Sequence, residues 1–451
     1  MSKKINLLII KLVLLLMVPM SCQATIKIGI LHSLSGTMAI SETELKQTIE
    51  MLIQQQNKAG GLLGQKLEAI VYDTESNWPK FAVDAKKMIV NDKVNVIFGC
   101  WTSVSRKHVL PIIEKYNGLL FYPVQFEGEE LSENIYYSGA TPNQQAIPAV
   151  DYLLSKGHNK FFLLGTDYVY PQTINNIVKE YLIGKGISES DIVIEYTPFG
   201  FQDWGPTVSK LKIASEDKSK KIAVVSTING DANIGFYSML ADSKITSKDV
   251  PVIAFSVGEN ELKGMDTAPL VGHLSAWNYF MSGSSEENDN FIENWQEFKE
   301  DDSAVTNDPM EATYLNFKLW VKGVEKAGTT DPEAVSMAMN GMTIKGLSGV
   351  NVKMDKNNHH FHKPVLIGEI QADGQFNVVW SSTGLVSPSP LNNNFKLCEM
   401  QAKDYIDYVH QINPDRVKVI EEYCQKDVNF KICDLPANEL SAMEENECKN
   451  K

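Results

Sequence analysis

VNVIFGCWTSVSR, residues 94–106, decides how the chain is to be read. An apolar, β-rich run (94–99) ends in Trp101 with Thr102, Ser103 and Ser105, and no charge arrives until Arg106. A short apolar run followed by capping residues and a helical stretch marks a strand-to-helix junction. The polar loop between them could be a nucleophile loop, a phosphate cradle, a neutral-ligand site or a plain helix cap.

The same unit recurs on either side. IKIGIL (26–31) reads as a strand, and Ser41-Glu42-Thr43-Glu44 as a capping box opening a helix that Gly60-Gly61 ends. LEAIVYD (67–73), a helix over 79–91, the run at 94–99, another helix and GLLFYPV (118–124) complete a βαβαβαβ series, the pattern of a doubly wound parallel sheet. After a crossover at 136–148 a second series begins: strands at 160–166, 191–196, 221–227 and 250–256, with helices between them. A later strand (273–280) precedes helices over 286–301 and 310–327, and short strands return over 350–380.

The expected fold class is therefore α/β: two doubly wound parallel-sheet lobes joined by a hinge that the chain crosses several times. Residues 25–143 and 273–347 are expected in the first lobe, and 144–272 and 348–388 in the second. Residues 1–24 are expected to be a signal peptide, and 389–451 an acidic, cysteine-bearing extension. A hinge with a cleft is a ligand clamp.

Bulk properties agree. A chain of 451 residues exceeds one ordinary core, and 43% hydrophobic with 22% charged residues is a globular composition. Lys and Arg number 42 against 56 Asp and Glu, a net −14 that argues against nucleic acid or an anionic membrane as the main partner. Lysines flank a short apolar stretch (5–18) followed by PMSCQAT, the form of an export leader. Cleavage after Ala24 fits the small-residue rule, with lipid anchoring at Cys22 as the alternative, so a periplasmic location is expected. In an exported chain Cys398, Cys424, Cys433 and Cys448 read as two disulfides of open connectivity, and Cys100 as a buried hydrophobe.

Several tempting motifs do not hold. GGLLGQK (60–66) follows a helix and precedes a strand, the reverse of a phosphate loop. HHFH (359–362) lacks a nearby ligand cluster and reads as a polar turn rather than a metal site, and no cofactor is called for. No nucleophile elbow surrounds Ser103 or Ser105, and His108 and Arg106 lie on the following helix as a solvated or ion-paired face. A non-enzymatic role follows.

Strand carboxyl ends in such sheets face the crevice. The segments placed there are WTS (101–103), YPVQFEG (122–128), TDYVYP (166–171), NGDAN (229–233) and AWNYF (276–280). They are aromatics, hydroxyls and amides with one or two carboxylates and no leading cation. Ser103 is expected to cap the next helix and leave backbone amides for a ligand oxygen, and Asp231 to accept N–H donors. A small neutral ligand with a carbonyl and several N–H groups, such as urea or a short amide, fits that inventory.

The chain resembles the urea and short-chain amide binding members of the type I periplasmic solute-binding proteins. The likeness runs from about residue 26 to 380 and rests on LHSLSGTMAISE (31–42), FGCWTSVSRKHVLP (98–111), GLLFYPVQFEG (118–128), SGATPNQQAIPAVDYL (138–153), GTDYVYP (165–171), TINGDAN (227–233), SAWNYF (275–280), DPMEATY (308–314) and NHHFHKP (358–364). It implies a bilobed receptor that delivers its solute to an ABC-type permease. It implies that Trp101, Thr102 and Ser103 line the pocket with Tyr122 and Gln125, that Tyr168 and Tyr170 face them, and that Asp231, beside Asn229, takes a ligand N–H. Trp277 joins this set, with hinge packing as the alternative for it and for Tyr170. Rival readings are a periplasmic or cytosolic amide sensor acting on a regulator, a branched-chain amino-acid receptor, and an amidohydrolase.

Overall fold

The computed structural model describes residues 25–391, 418–419, 422–424, 426 and 431–449. The leader with Cys22, and Cys398, lie outside the described residues.

In the first lobe, β1 (Ile26–His32), β2 (Leu67–Asp73), β3 (Val96–Gly99), β4 (Leu120–Tyr122) and β5 (Ile135–Tyr137) form a parallel sheet of order β2-β1-β3-β4-β5. Helices α1 (Ala39–Lys58), α2 (Trp78–Lys87) and α3 (Ser103–Lys115) link the first four strands. Their strands are apolar with little alternation because both faces are covered, as parallel sheets require.

After α4 (Ala146–Ser155) the pattern repeats with β6 (Lys160–Thr166), α5 (Val169–Gly184), β7 (Ile192–Thr197), α6 (Gly205–Glu216), β8 (Ile222–Thr227), α7 (Ala232–Asp242), β9 (Val252–Ala254), the one-turn α8 (Glu259–Leu262) and β10 (Leu274–Trp277). Helices α9 (Glu286–Lys299), α10 (Asp308–Ala327) and α11 (Pro332–Met339) follow, then β11 (Thr343–Lys345), β12 (Asn351–Met354), β13 (Phe361–His362), β14 (Leu366–Ile370) and β15 (Phe376–Ser381). The second sheet runs β15-β14-β10-β9-β8-β6-β7, so the order of the first is reproduced by β7-β6-β8-β9-β10.

Two segments change lobes relative to the expectation from sequence. Leu274–Trp277 pairs in parallel with β9 and antiparallel with β14, which places this strand in the second sheet and not the first lobe. Residues 348–362 belong with the first lobe: β12 pairs with β11 and β13, and His360 bridges to Tyr137 on β5. Only β14 and β15 return to the second lobe. Hinge crossings are set by tertiary pairing, which strand periodicity does not encode.

The 99–106 stretch turns sharply for a steric reason. A Cβ on Gly99 would lie 2.3 Å from the Leu31 carbonyl oxygen, so only glycine lets β3 approach β1 this closely. Cys100 then turns with φ of 67°, its amide bonded to the same carbonyl at 2.9 Å, and its thiol is buried and free.

In the extension Cys433 pairs with Cys448, and Cys424 is also disulfide-bonded. Ile432 and Leu435 are buried in the larger hydrophobic core cluster, and Asn358 donates to Glu447 at 3.0 Å from the loop before β13. The described part of the extension around α12 (Ala442–Lys449) thus contacts the first lobe at Asn358.

Gly99→Ala is expected to cost at least about 2 kcal/mol of stability, because backbone and not a flexible side chain must yield. Chemical denaturation of the ligand-free protein measures it, and an unchanged midpoint would remove the steric account of the turn.

Candidate functional site

Parallel strands all end on one side, and the crevice opens where strand order reverses. In the first sheet that point lies between β1 and β3, and in the second between β6 and β8. The loops found there are 33–38 and 100–102 in the first lobe, and 167–168 and 228–231 in the second. Trp101, Tyr168, Asn229 and Asp231 fall on them directly.

The cap differs from the expectation by one residue. Thr102 is the N-cap of α3, its hydroxyl oxygen accepting the Ser105 amide at 3.1 Å. Ser103 is the first helical residue and donates to Glu127 at 2.5 Å while accepting from Arg106 at 3.2 Å. A serine hydroxyl carries one proton. With that proton on Glu127, Ser103 can accept a ligand N–H but cannot donate to a ligand carbonyl.

Charge lies closer to the site than the sequence suggested. Arg106 and Lys107 are buried and share Glu127 and Glu130: Arg106 Nε reaches Glu130 at 2.7 Å, its Nη2 reaches Glu127 at 3.3 Å, and Lys107 reaches Glu130 at 2.9 Å and Glu127 at 3.3 Å. Burial alone would raise the Glu130 carboxyl, but Arg106 and Lys107 overcome it and hold it at about 2. Two cations meet two carboxylates, so the wall carries charge without net charge. The Arg106 guanidinium also lies 4.6 Å over the rings of both Tyr122 and Phe126. Phe126 stacks on Tyr137 at 4.9 Å, and Tyr137 on His360 at 4.4 Å.

That stack corrects the polar-turn reading of HHFH. His359 and His360 are buried, His359 stacking on Tyr136 at 4.3 Å, and burial holds them down to about 4 and about 3. Among the described residues no cluster of three or more metal-ligating side chains occurs.

Tyr122 donates to the Trp101 carbonyl at 2.5 Å and ties the two loops together. Gln125 reaches into the second lobe, its Nε2 donating to the Phe255 carbonyl at 2.7 Å and to Ser256 at 2.8 Å. Tyr170 faces the Gln125 side chain without completing a hydrogen bond, and Tyr168 lies 6.2 Å from Tyr170 ring to ring. Burial raises the hydroxyl pKa of both tyrosines, and the charge of Glu127 adds to it. Trp101, Ser103, Tyr122, Gln125, Glu127, Tyr168 and Tyr170 therefore gather at one place.

The remaining residues divide. Asp231 sits at the lip, its amide donating to the Thr37 carbonyl of the first lobe at 3.3 Å, and burial raises its carboxyl pKa. Asn229 is used within the second lobe, accepting no side-chain partner across the cleft: its amide donates to Thr166 at 3.0 Å and its Nδ2 to the Thr227 carbonyl at 3.0 Å. Trp277 packs in the second lobe's core with Nε1 on the Val257 carbonyl at 2.8 Å. That geometry favours the packing role.

Among the buried polar atoms without a hydrogen-bond partner are Trp101 Nε1, Gln125 Oε1, Tyr170 OH and Asp231 Oδ1. Buried polar atoms are ordinarily paired, so such a group needs an explanation. Here they comprise a donor, two acceptors and a hydroxyl able to do either.

The lobes are together. Trp78 of the first lobe meets Phe199 of the second with rings 5.1 Å apart, and a Cβ on Gly230 would lie 2.6 Å from the Thr37 carbonyl oxygen. Two lobes closed over orphaned polar atoms define a solute-binding clamp. The chain belongs to the family described as periplasmic binding protein domain, whose model matches residues 26–396. It is similar to the leucine-, isoleucine-, valine-, threonine- and alanine-binding protein of Pseudomonas aeruginosa, 26% identical over 345 residues that cover 75% of this chain and 88% of that protein. Among solved structures it resembles a solute-binding protein of an ABC transporter from Rhodopseudomonas palustris in complex with p-hydroxybenzoic acid (TM-score 0.71, 21% identity, 80% of this chain and 98% of that one). It also resembles an amino-acid ABC transporter substrate-binding protein from Pseudomonas fluorescens (TM-score 0.69, 19% identity, 81% and 97%). The protein is a solute receptor of the periplasmic binding protein family and not an enzyme.

Sequence reasoning missed Glu127, Glu130 and Lys107 as parts of this site. The signal was the acid-rich FEGEE (126–130) directly after a strand-end segment, opposite the adjacent Arg106-Lys107.

Glu130→Gln removes one partner of a buried pair and is expected to cost about 3 kcal/mol at pH 7. Because the folded pKa lies below the unfolded value, the wild-type advantage is full above about pH 4.5 and shrinks as pH falls toward 2. Denaturation midpoints of both proteins across pH 7 to 3 check this, and a constant difference would contradict it.

Proposed function

We propose that this receptor binds urea or a short-chain amide and delivers it to an ABC-type importer after export under its leader. The observation that carries the reading is the orphaned set: Trp101 Nε1 and Tyr170 OH can donate to a carbonyl oxygen, while Gln125 Oε1 and Asp231 Oδ1 can accept N–H groups. Ser103, its proton committed to Glu127, adds a further acceptor. Urea presents one carbonyl and two amino groups, which is the complementary inventory.

The charge balance supports the same class. A free amino acid or a benzoate needs a counter-charge for its carboxylate, and Arg106 and Lys107 are already shared between Glu127 and Glu130. The Glu127 carboxylate beside the tyrosines disfavours a second anion. For so small a ligand the ceiling is about −1.5 kcal/mol per heavy atom, so tight binding needs nearly every donor and acceptor met.

Calorimetry with urea, acetamide, formamide, leucine and 4-hydroxybenzoate tests the reading. Urea is expected to bind tightest and the two carboxylates negligibly; a preference for leucine or the benzoate would sink the assignment. Absence of ammonia release during incubation with urea separates this receptor from an amidohydrolase. Asp231→Ala should weaken urea at least tenfold with little change in the ligand-free melting temperature, whereas a large loss of ligand-free stability would mark Asp231 as structural.

A further inference from the structure

Ser41 sits where the sequence suggests a helix cap, yet the structure uses it otherwise. Helix α1 begins two residues earlier, at Ala39, with Met38 as N-cap and no side-chain capping bond. The Ser41 hydroxyl instead donates to Glu261 Oε1 at 2.8 Å, a partner 220 residues away on α8. Both residues are buried, 1% and 2% exposed.

The two belong to different lobes. Helix α1, with Leu45 and Ile49 buried, links β1 to β2 of the first lobe, while Leu262, next to Glu261, packs in the second lobe's cluster. The other Glu261 oxygen takes the Gly258 amide at 2.9 Å, which fixes the carboxylate on the second lobe. Asn260 adds a donor to the Ile40 carbonyl at 3.3 Å, again across the lobes. Unlike the orphaned atoms of the pocket, both Glu261 oxygens are satisfied by the protein itself. The carboxylate therefore has no need of a solute, and its bond to Ser41 exists only while the lobes are together.

We propose that Ser41 and Glu261 form a closure latch that sets how long a solute is held, acting through the lobe equilibrium and not through solute contact. A bond made only in the closed form stabilises that form alone, so it slows release and leaves encounter unchanged. A bond from a hydroxyl to a buried carboxyl oxygen, with no water at hand to replace it, is costly to break. The latch rests on the clamp architecture and is independent of which solute occupies the pocket.

Stopped-flow tryptophan fluorescence with urea tests it on wild type, Ser41→Ala, Glu261→Gln, the double variant and Ser41→Thr. Release is expected to be about tenfold faster in Ser41→Ala and Glu261→Gln, no faster still in the double variant, and near wild type in Ser41→Thr, which keeps the hydroxyl. Association rates and ligand-free melting temperatures should stay within about twofold and about 1 °C of wild type. Unchanged release, or additive effects with a matching loss of ligand-free stability, would overturn the latch. If urea gives no signal with wild type, the solute reading has failed and not the latch, and the same variants are run with whichever member of the calorimetry panel binds. If none binds, the Ser41→Cys/Glu261→Cys pair decides: oxidation of the ligand-free protein should join residues 41 and 261 in one peptide-mapped disulfide, and no such cross-link would overturn the proposal.

Discussion

The cleft depends on the pairing of Arg106 and Lys107 with Glu127 and Glu130. Two cations buried behind a ligand wall are tolerable only if their charge is met at close range, because desolvating an unpaired ion costs far more than a fold can spare. The pairing pins the 126–130 loop against α3, and it lays the guanidinium over Tyr122 and Phe126. Tyr122 in turn holds the Trp101 carbonyl. One neutralised cluster thus places the indole, the Ser103 hydroxyl and the tyrosine wall, with both cations paired to carboxylates.

Closure completes the arrangement. The Thr37 loop and the first turn of α1 meet the second lobe at Gly200, Gly230 and, on α8, Glu261. Gly230, at φ of 68°, lets the second lobe come within contact of the Thr37 backbone where any side chain would hold the lips apart. The unpaired atoms of Trp101, Gln125, Tyr170 and Asp231 underlie the proposed solute site, and the paired Ser41–Glu261 contact underlies the proposed latch.

The alternation of strand and helix was legible because parallel strands buried on both faces are continuous apolar runs, and the switch-point loops followed from that order. Several features were not. Ser41 fits a capping box and a cross-lobe bond equally well in sequence, since the same hydroxyl serves either. Arg106 and its carboxylates are separated by 21 and 24 residues, so no helical spacing reveals their pairing. The three-residue strand at 135–137 is too short to show a period, and the lobe to which Leu274–Trp277 belongs is set by its neighbours β9 and β14. Thr102 and Ser103 both make good caps, and only the backbone turn forced at Gly99 and Cys100 selects the first.

The most direct test is a co-crystal structure grown with urea near stoichiometric concentration. The account predicts one urea in the cleft, its oxygen facing Trp101 Nε1 or Tyr170 and its nitrogens facing Gln125, Ser103 or Asp231, with Arg106 still bound to Glu130. Urea found elsewhere, or a cleft in which Arg106 has left Glu130 to meet a carboxylate ligand, would contradict it.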